Sequence, residues 1–181
     1  MEWALFVGAV VVAALLAWRA GFASFWAQEP SDYAKGGEVF DIKKHLNGPM
    51  TCHGVIYGPM GRVVSRFSAT MDAVWDGDRC RMEETFTYDT GNTQDRVWDL
   101  QLAGSKVLAT ATDLNGEGDL TGDALRMRYA FQMPKESGGH LLNVRDWMYL
   151  VQDGTIVNRS QFRKFGITVA ELVATIHPVR S

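Results

Sequence analysis

The sequence has few cysteines, few prolines and no excess of positive charge, and each shortage excludes a class of protein. Two cysteines, Cys52 and Cys80, are too few for a disulfide scaffold or a four-thiolate zinc site, and whether they pair stays open. A net charge of -3 removes the basic surface that phosphate contacts need, so nucleic acid is not an expected partner. Five prolines in 181 residues, with 46% hydrophobic residues, indicate one globular domain rather than a disordered chain.

Signature motifs of common enzymes are missing too. The sequence contains no GxSxG elbow, no P-loop and no HxxxH or HxH pair, so we expect no metal and no cofactor. Residues 113–124 resemble a calcium loop, but Ala124 stands where a bidentate glutamate is needed, which favours a solvated acidic hairpin. Cys52 and His53 are adjacent, and neighbours in a strand point to opposite faces, so they cannot act as nucleophile and base.

What the sequence does contain is a long uncharged run at its N-terminus. Residues 3–18 carry no charge, and a second uncharged stretch follows Arg19. This run predicts a transmembrane helix within residues 1–28, with a cleaved signal peptide as the alternative. The basic n-region and A-x-A site of a signal peptide are missing. We therefore expect a single-pass protein of the bacterial inner membrane, its domain in the periplasm or, as Arg19 alone favours, in the cytoplasm.

The rest of the chain has the period of β-strands. After a polar linker at residues 29–39, eight turn signals divide residues 40–178 into nine runs. In residues 125–133 every odd residue is apolar, while Arg126 and Arg128 are expected to face water. Asp41 also has the features of an N-cap for one short helical turn. Nine one-sided strands predict an all-β, antiparallel up-and-down barrel of about nine strands, with a β-sandwich as the alternative.

Several short motifs together resemble a bacterial family, domain-of-unknown-function family 3833. They span most of residues 38–178 and are Phe40-Asp41 with Asn47-Gly48, residues 61–67, Glu84-x-Phe86-x-Tyr88-Asp89, Arg96-x-Trp98, Ala111-x-Asp113, Asp146-Trp147-Met148-Tyr149, Asn158-Arg159-Ser160 and Lys164-Phe165-Gly166. The resemblance implies a lipocalin-like, or calycin, barrel held at an envelope membrane. Many relatives look like lipoproteins, whereas this chain has an apolar N-terminal segment and no acylatable cysteine near its start.

Two polar sets stand out as candidate sites. Glu84 and Tyr88 lie on one side of a hairpin turn and Arg96 on the other, so Glu84 or Tyr88 can meet Arg96 across the strands, either to anchor a ligand headgroup or to form a structural salt bridge. The second set lies near the last hairpin and can bind a ligand or close an internal network; it consists of Asp146, Asn158, Arg159 and Lys164. The complete set of predicted ligand-binding residues is Glu84, Tyr88, Arg96, Trp98, Asp113, Asp146, Trp147, Asn158, Arg159 and Lys164.

These features favour a membrane-anchored, non-catalytic module that holds a lipid or another small apolar molecule in its barrel. One alternative is an enzyme of lipid or fatty-acyl modification, with Glu84, Asp113 or Asp146 as its general acid or base. A structural role in the envelope is the other alternative. The expected partners are therefore a membrane lipid or a small apolar ligand, and the membrane itself.

Overall fold

The computed structural model describes residues 2–22, 24–111, 114–133 and 138–179, with side chains described through Trp18 and again from Ser24. Helix α1 comes first and the short helix α2 precedes a series of ten strands. Their bounds are α1 Glu2–Phe22, α2 Ile42–His45, β1 Gly48–Tyr57, β2 Val63–Asp76, β3 Arg79–Tyr88, β4 Thr93–Ala103, β5 Lys106–Ala111, β6 Leu114–Thr121, β7 Ala124–Gln132, β8 Leu141–Leu150, β9 Ile156–Lys164 and β10 Ile167–Pro178.

The ten strands form one closed antiparallel barrel in which each strand pairs with its neighbour in sequence and β1 pairs with β10. The predicted up-and-down barrel is confirmed. Closure leaves no unpaired edge, which is how a long meander avoids edge-to-edge aggregation. The alternation of the sequence becomes the inside and outside of the barrel, with Met71 and Met82 among the buried inward residues.

The predicted number of strands was one too low because the stretch after Asp113 is a strand rather than a loop. This strand, β6, pairs with β5 and β7 along its length. Gly118 faces the interior, where a Cβ atom would lie 2.3 Å from the Met127 sulfur. Glycine has a low strand propensity, so the sequence pattern did not predict a strand here. In the structure, the absence of a side chain at Gly118 leaves space for the Met127 side chain on β7.

The short helix α2 closes one end of the barrel. The Asp41 side chain accepts a hydrogen bond from the Lys43 backbone amide at 3.0 Å, as predicted for an N-cap. Ile42 and Leu46 are each 2% exposed and cover the interior from this end. The Trp75 indole donates to the Leu46 carbonyl at 2.8 Å, which ties the helix to β2. The interior is therefore closed at the α2 end.

Residues 24–36, called the strap below, lie against the outer face of β7, β8 and β9. Trp26 donates through its indole to Gln161 at 2.9 Å, and Glu29 accepts from Arg126 at 2.5 Å. Arg126, predicted to face water, is only 6% exposed. The prediction was wrong because alternation shows which residues leave the barrel interior but not that another segment covers them. The predicted polar linker is thus partly a packed element.

Helix α1 coincides with the predicted membrane anchor, and its side chains as far as Trp18 are exposed. Within the described part of the chain, no helix combines the length and the apolar character needed to cross a membrane. The predicted transmembrane helix is therefore not supported.

Candidate functional site in the barrel interior

The central polar group of the interior is Glu84, which lies on β3 directly opposite Arg96 on β4. Both side chains point inward, as the sequence predicted. The hydrogen bond to Glu84, however, comes from Trp98, whose indole Nε1 donates to the carboxylate at 3.1 Å. Glu84 is 8% exposed, so this indole is one of few polar groups that it meets in an apolar surrounding.

Arg96 lies among aromatic rings rather than beside a carboxylate. Its guanidinium carbon is 5.5 Å from the ring centre of Phe131, 5.6 Å from Trp98 and 5.9 Å from Phe86. Among the described residues, no carboxylate oxygen lies within 4.0 Å of its nitrogens, and the guanidinium makes no hydrogen bond. The salt bridge that the sequence analysis offered for Glu84 and Arg96 is therefore absent, because the cation is held by ring faces instead.

The position of Glu84 changes its acidity. Burial raises the pKa of Glu84 to about 7, because the charged form loses its hydration; Arg96 and the Trp98 hydrogen bond act in the opposite direction. The carboxyl is thus divided between its neutral and charged forms near neutral pH. When it is neutral, the positive charge of Arg96 has no compensating charge from its cross-strand partner.

A second interior carboxyl, Asp146, is held by a small hydrogen-bonded network. It accepts a hydrogen bond from the Ser160 hydroxyl at 2.8 Å and another from the Asn158 amide, which also donates to the Trp147 carbonyl at 3.1 Å. Burial raises the pKa of Asp146 to about 6, and the two side-chain hydrogen bonds oppose this rise. The network fixes the carboxyl at the wall of the interior, as predicted for Asp146 and Asn158.

A cavity of about 130 Å³ lies between these polar groups and the apolar wall. Its floor is formed by Ile42 and Leu46 at the α2 end. The polar residues that line it are Glu84, Arg96, Tyr129, Asp146, Asn158 and Ser160. The apolar wall includes the sulfur-containing side chains of Cys52, Met71, Met82, Met127 and Met148.

The structure divides the predicted site residues into an interior group and an outer group. Glu84, Arg96, Trp98, Asp146 and Asn158 line the cavity. Tyr88 is the last residue of β3. Its ring packs on Phe86, and its hydroxyl donates a hydrogen bond to the Gln94 side chain at 3.0 Å. Asp113 lies outside the described residues.

Three predicted residues do not line the cavity: Trp147 and Arg159 lie on the outer face, and Lys164 lies at the end of β9. Trp147 is fully buried under the strap, with its ring centre 5.0 Å from that of Tyr33, because it follows Asp146 in a strand and points to the opposite face. Arg159 bonds Glu171 at 2.9 Å. Lys164 lies 2.9 Å from the His140 ring nitrogen at the surface.

Tyr129 is a cavity residue that the site prediction missed. It lies on β7, and its ring packs edge-on against Trp98 at 5.7 Å. Burial raises its pKa well above the ordinary range, so its hydroxyl stays protonated and can donate a hydrogen bond. The signal was present in the sequence, because Tyr129 occupies an odd position in the alternating run that identified β7.

Comparison with known families identifies the chain. The model of a family described as proteins of unknown function, DUF3833, matches residues 20–178. The chain belongs to this family. The family that the sequence motifs resemble is thereby confirmed, although its description assigns no activity. Among curated proteins, none matches the sequence.

Solved structures of other proteins share the barrel at low sequence identity. An S-type phycobiliprotein lyase, CPES, from Guillardia theta is 10% identical with a TM-score of 0.59, covering 85% of this chain and 99% of its own. Rv2717c from M. tuberculosis is 12% identical with a TM-score of 0.56, covering 80% and 100%. A DUF3598-family protein of unknown function from Nostoc punctiforme is 15% identical with a TM-score of 0.57, covering 79% and 51%. At these identities the likeness establishes the fold alone.

Proposed function

We propose that this DUF3833 protein binds a small, mainly apolar molecule inside its barrel, without catalysis. The observation that carries the proposal is Arg96: a cation at the cavity wall with no carboxylate partner among the described side chains. A buried or half-buried charge without a partner is costly, and a ligand that brings an anionic group would relieve that cost. The interior therefore offers one polar anchor and an apolar wall.

The chemistry of the site favours a ligand with one carboxylate or similar anion attached to an apolar body. Arg96 can donate two parallel hydrogen bonds to such a group, while Tyr129 or a protonated Glu84 can add one more. A charged Glu84 would repel the anion. The raised pKa of Glu84 therefore suits this ligand, because it keeps a substantial neutral fraction near pH 7.

The size of the cavity limits the ligand. Its 130 Å³ is about the volume that holds a benzene-sized molecule, well below the roughly 300 Å³ at which drug-sized pockets begin. Four methionines line it, and their unbranched side chains can change rotamer at little cost. A longer molecule such as an acyl chain would need these side chains to move.

The comparison structures support a binding role only at the level of architecture. One neighbour is named as an S-type phycobiliprotein lyase, so the same barrel form occurs in a protein with that name. A shared fold does not transfer a substrate, and the ligand class proposed here depends on Arg96 and its surroundings.

Native mass spectrometry of the purified protein, followed by extraction of any bound molecule, tests the proposal. We expect a co-purifying or added monocarboxylate with an apolar tail to bind, and Arg96→Met to weaken that binding about tenfold or more, since charge-assisted hydrogen bonds contribute about 1.5–3 kcal/mol. Arg81→Met is the matched control, because Arg81 lies on the outer face of β3 with its side chain 59% exposed. An Arg96 variant that binds as well as the parent would refute the anchor.

A second candidate function is acid–base catalysis on a lipid or fatty-acyl substrate. Glu84 and Asp146, with pKa values near 7 and 6, are carboxyls of the kind that transfer protons at neutral pH. Substrate turnover that is lost in Glu84→Gln while binding persists would favour this function over passive binding.

We also propose a location at the bacterial inner membrane, with the barrel in the periplasm. Exposed apolar side chains along α1, such as Trp3 at 82% and Leu16 at 63%, support contact with lipid. Fractionation of cells tests membrane association, and protease treatment of spheroplasts distinguishes a periplasmic from a cytoplasmic barrel.

A further inference from the structure

The turn between β9 and β10 contains Phe165, a residue poorly suited to the backbone conformation of the turn. Its two central residues, Phe165 and Gly166, both have positive φ, at 51° and 79°. Glycine adopts this backbone conformation freely, and asparagine or aspartate tolerates it, but a bulky aromatic residue does so rarely. Phe165 is moreover 90% exposed, so no packing within the described chain compensates for the strain. Folding alone would select asparagine at position 165.

A neighbouring turn presents a second exposed apolar side chain. Met60, at the tip of the turn between β1 and β2, is 84% exposed. Strands β1 and β10 pair, and a surface groove lined by Tyr57 of β1, by Pro59 of the β1–β2 turn and by Thr168 of β10 places the two turns side by side. Ile167, which follows the β9–β10 turn, is 69% exposed. Together these three side chains form what we call the apolar rim: Met60, Phe165 and Ile167.

The apolar rim lies at the end of the barrel opposite α2. In an antiparallel meander, alternate turns lie at alternate ends, so the β1–β2 and β9–β10 turns share one end, while the β2–β3 and β4–β5 turns share the end that α2 covers. At the α2 end the tips of the β2–β3 and β4–β5 turns are polar, Asp78 and Ser105, although Val39 and Val151 near this end are also exposed. The two large and most exposed apolar turn residues, Met60 and Phe165, are at the end that α2 does not close.

Basic side chains flank the apolar rim. Arg62 lies in the β1–β2 turn, and the Lys164 ammonium is 5.4 Å from the Phe165 ring centre. The nearest acidic residues, Asp89 and Glu171, are paired with Arg66 at 3.6 Å and with Arg159 at 2.9 Å. Exposed aromatic and methionine side chains flanked by basic groups match the interface of a bilayer that contains anionic lipids.

We propose that the apolar rim docks on the surface of an anionic phospholipid bilayer, so that the end of the barrel opposite α2 faces the lipid from which its ligand comes. This inference rests on the proposed function, since an end directed at lipid serves a protein that takes up an apolar molecule. The proposed contact does not require α1 to span the bilayer, because it is made by the side chains of the apolar rim.

An environment-sensitive fluorophore attached to a single surface cysteine tests the orientation in the full chain. The labelled site is Met60→Cys in the rim, and the matched control is Ser105→Cys at the α2 end. Cys52 and Cys80 are buried, and burial raises the pKa of both thiols, so the introduced cysteine reacts preferentially. We expect a blue shift at position 60, but not at 105, on addition of phosphatidylglycerol-containing vesicles, and a smaller shift with pure phosphatidylcholine.

Substitution of Phe165 separates docking from folding. In the Met60→Cys background, Phe165→Asn should reduce the blue shift at position 60 on vesicle addition, since one large apolar side chain no longer enters the interface. This local readout does not depend on lipid contact by α1. The same variant should melt at an equal or higher temperature, because asparagine suits the turn. Equal shifts at positions 60 and 105, no shift at either, or an unchanged shift at position 60 in Phe165→Asn would each overturn the proposal; the absence of any shift would point to a protein partner instead.

Failure of docking can be distinguished from failure of ligand binding. Binding of a fluorescent monocarboxylate in vesicle-free solution measures the cavity alone, and Phe165→Asn should leave it unchanged. If vesicle docking fails while this binding persists, only the rim proposal is wrong. If the cavity never binds such a molecule, the proposed function is wrong whatever the vesicles show.

Discussion

At the scale of single residues, the interior combines groups that a folding protein would normally pair. Glu84 and Arg96 are opposite each other in the β3–β4 register, yet one accepts from an indole and the other lies on ring faces. This separation leaves a carboxyl with a raised pKa and a cation with unused donors at the same cavity. Both features cost stability, which is the usual mark of residues kept for a role other than folding.

Stability should decrease with rising pH because of Glu84. Its pKa is about 7 in the folded protein, against an ordinary value of 4.5 for glutamate, so the folded state holds the proton more tightly than the unfolded chain. The stabilising effect of protonation is complete at low pH and is lost as pH rises from about 5 to 8, by on the order of 2 kcal/mol.

Urea denaturation of the parent and of Glu84→Gln at pH 5 and pH 8 measures this effect. Glutamine keeps an oxygen for the Trp98 hydrogen bond but cannot ionise, so the difference between the two pH values should shrink. Asp146 contributes in the same direction and remains in both proteins. An equal pH dependence in parent and variant would show that Glu84 titrates normally.

The cysteines should not contribute to stability as a disulfide. Cys52 and Cys80 are both free and buried in the core. A Cys52→Ala, Cys80→Ala variant is expected to fold with the loss of a small buried group at each site, about 1–2 kcal/mol in total. The melting temperature of the parent should be the same with and without reductant; a decrease on reduction would contradict free thiols.

At the scale of elements, the strap and β6 are the two parts that alternation of hydrophobic residues does not describe. The strap places Trp26 between Arg145 and Arg163, at 4.6 and 4.3 Å from its ring centre. Neither arginine forms an ion pair among the residues described here, but Arg145 donates to the Trp26 carbonyl and Arg163 to the Thr168 hydroxyl at 3.2 Å. Cation–π contacts and a backbone hydrogen bond from outer-face arginines thus fix the strap.

Trp26→Ala should destabilise the barrel by about 1–3 kcal/mol, because two cation–π contacts of about 0.5–1 kcal/mol each and part of a large apolar side chain are lost. Trp26→Phe is the control, since it keeps a ring for the two arginines and loses only the hydrogen bond to Gln161. Thermal melts followed by circular dichroism measure both. A phenylalanine variant as unstable as the alanine variant would assign the effect to the hydrogen bond.

Gly118→Ala should destabilise β6 by about 1–3 kcal/mol. The added Cβ would lie 2.3 Å from the Met127 sulfur and 3.1 Å from a backbone carbonyl, so Met127 must leave its position. Asn115→Ala, at an exposed position of the same strand, controls for the change in strand propensity. Amide hydrogen exchange in β6 should accelerate in the glycine variant alone; equal exchange in both would mean that β6 accommodates the side chain.

At the scale of the whole molecule, the strap changes where the folded unit begins. The sequence places the start of the domain at residue 40, but Trp147, on the outside of β8, is buried by strap residues including Phe25. A protein that begins at residue 24 should keep the fold, whereas one that begins at residue 40 should lose about 2–4 kcal/mol, since it exposes Trp147 and its neighbours. Urea denaturation of the two proteins compares them, and equal stability would show that the strap is not part of the folded unit.

The sequence by itself determined the barrel and many of its inward residues, including those of the candidate site, because a period of two fixes which side chains share a face and a turn fixes which strands pair. Glu84, Arg96, Trp98, Asp146 and Asn158 are recognisable as interior residues on those grounds alone. Only the tertiary structure decided that β6 is a strand, that the strap covers Arg126 and Trp147, and that Arg96 lies on rings instead of pairing with Glu84. These outcomes depend on contacts between segments that are distant in sequence. Packing between such segments overrides local propensity, and the hydrophobic pattern of one strand does not show which segment packs against it.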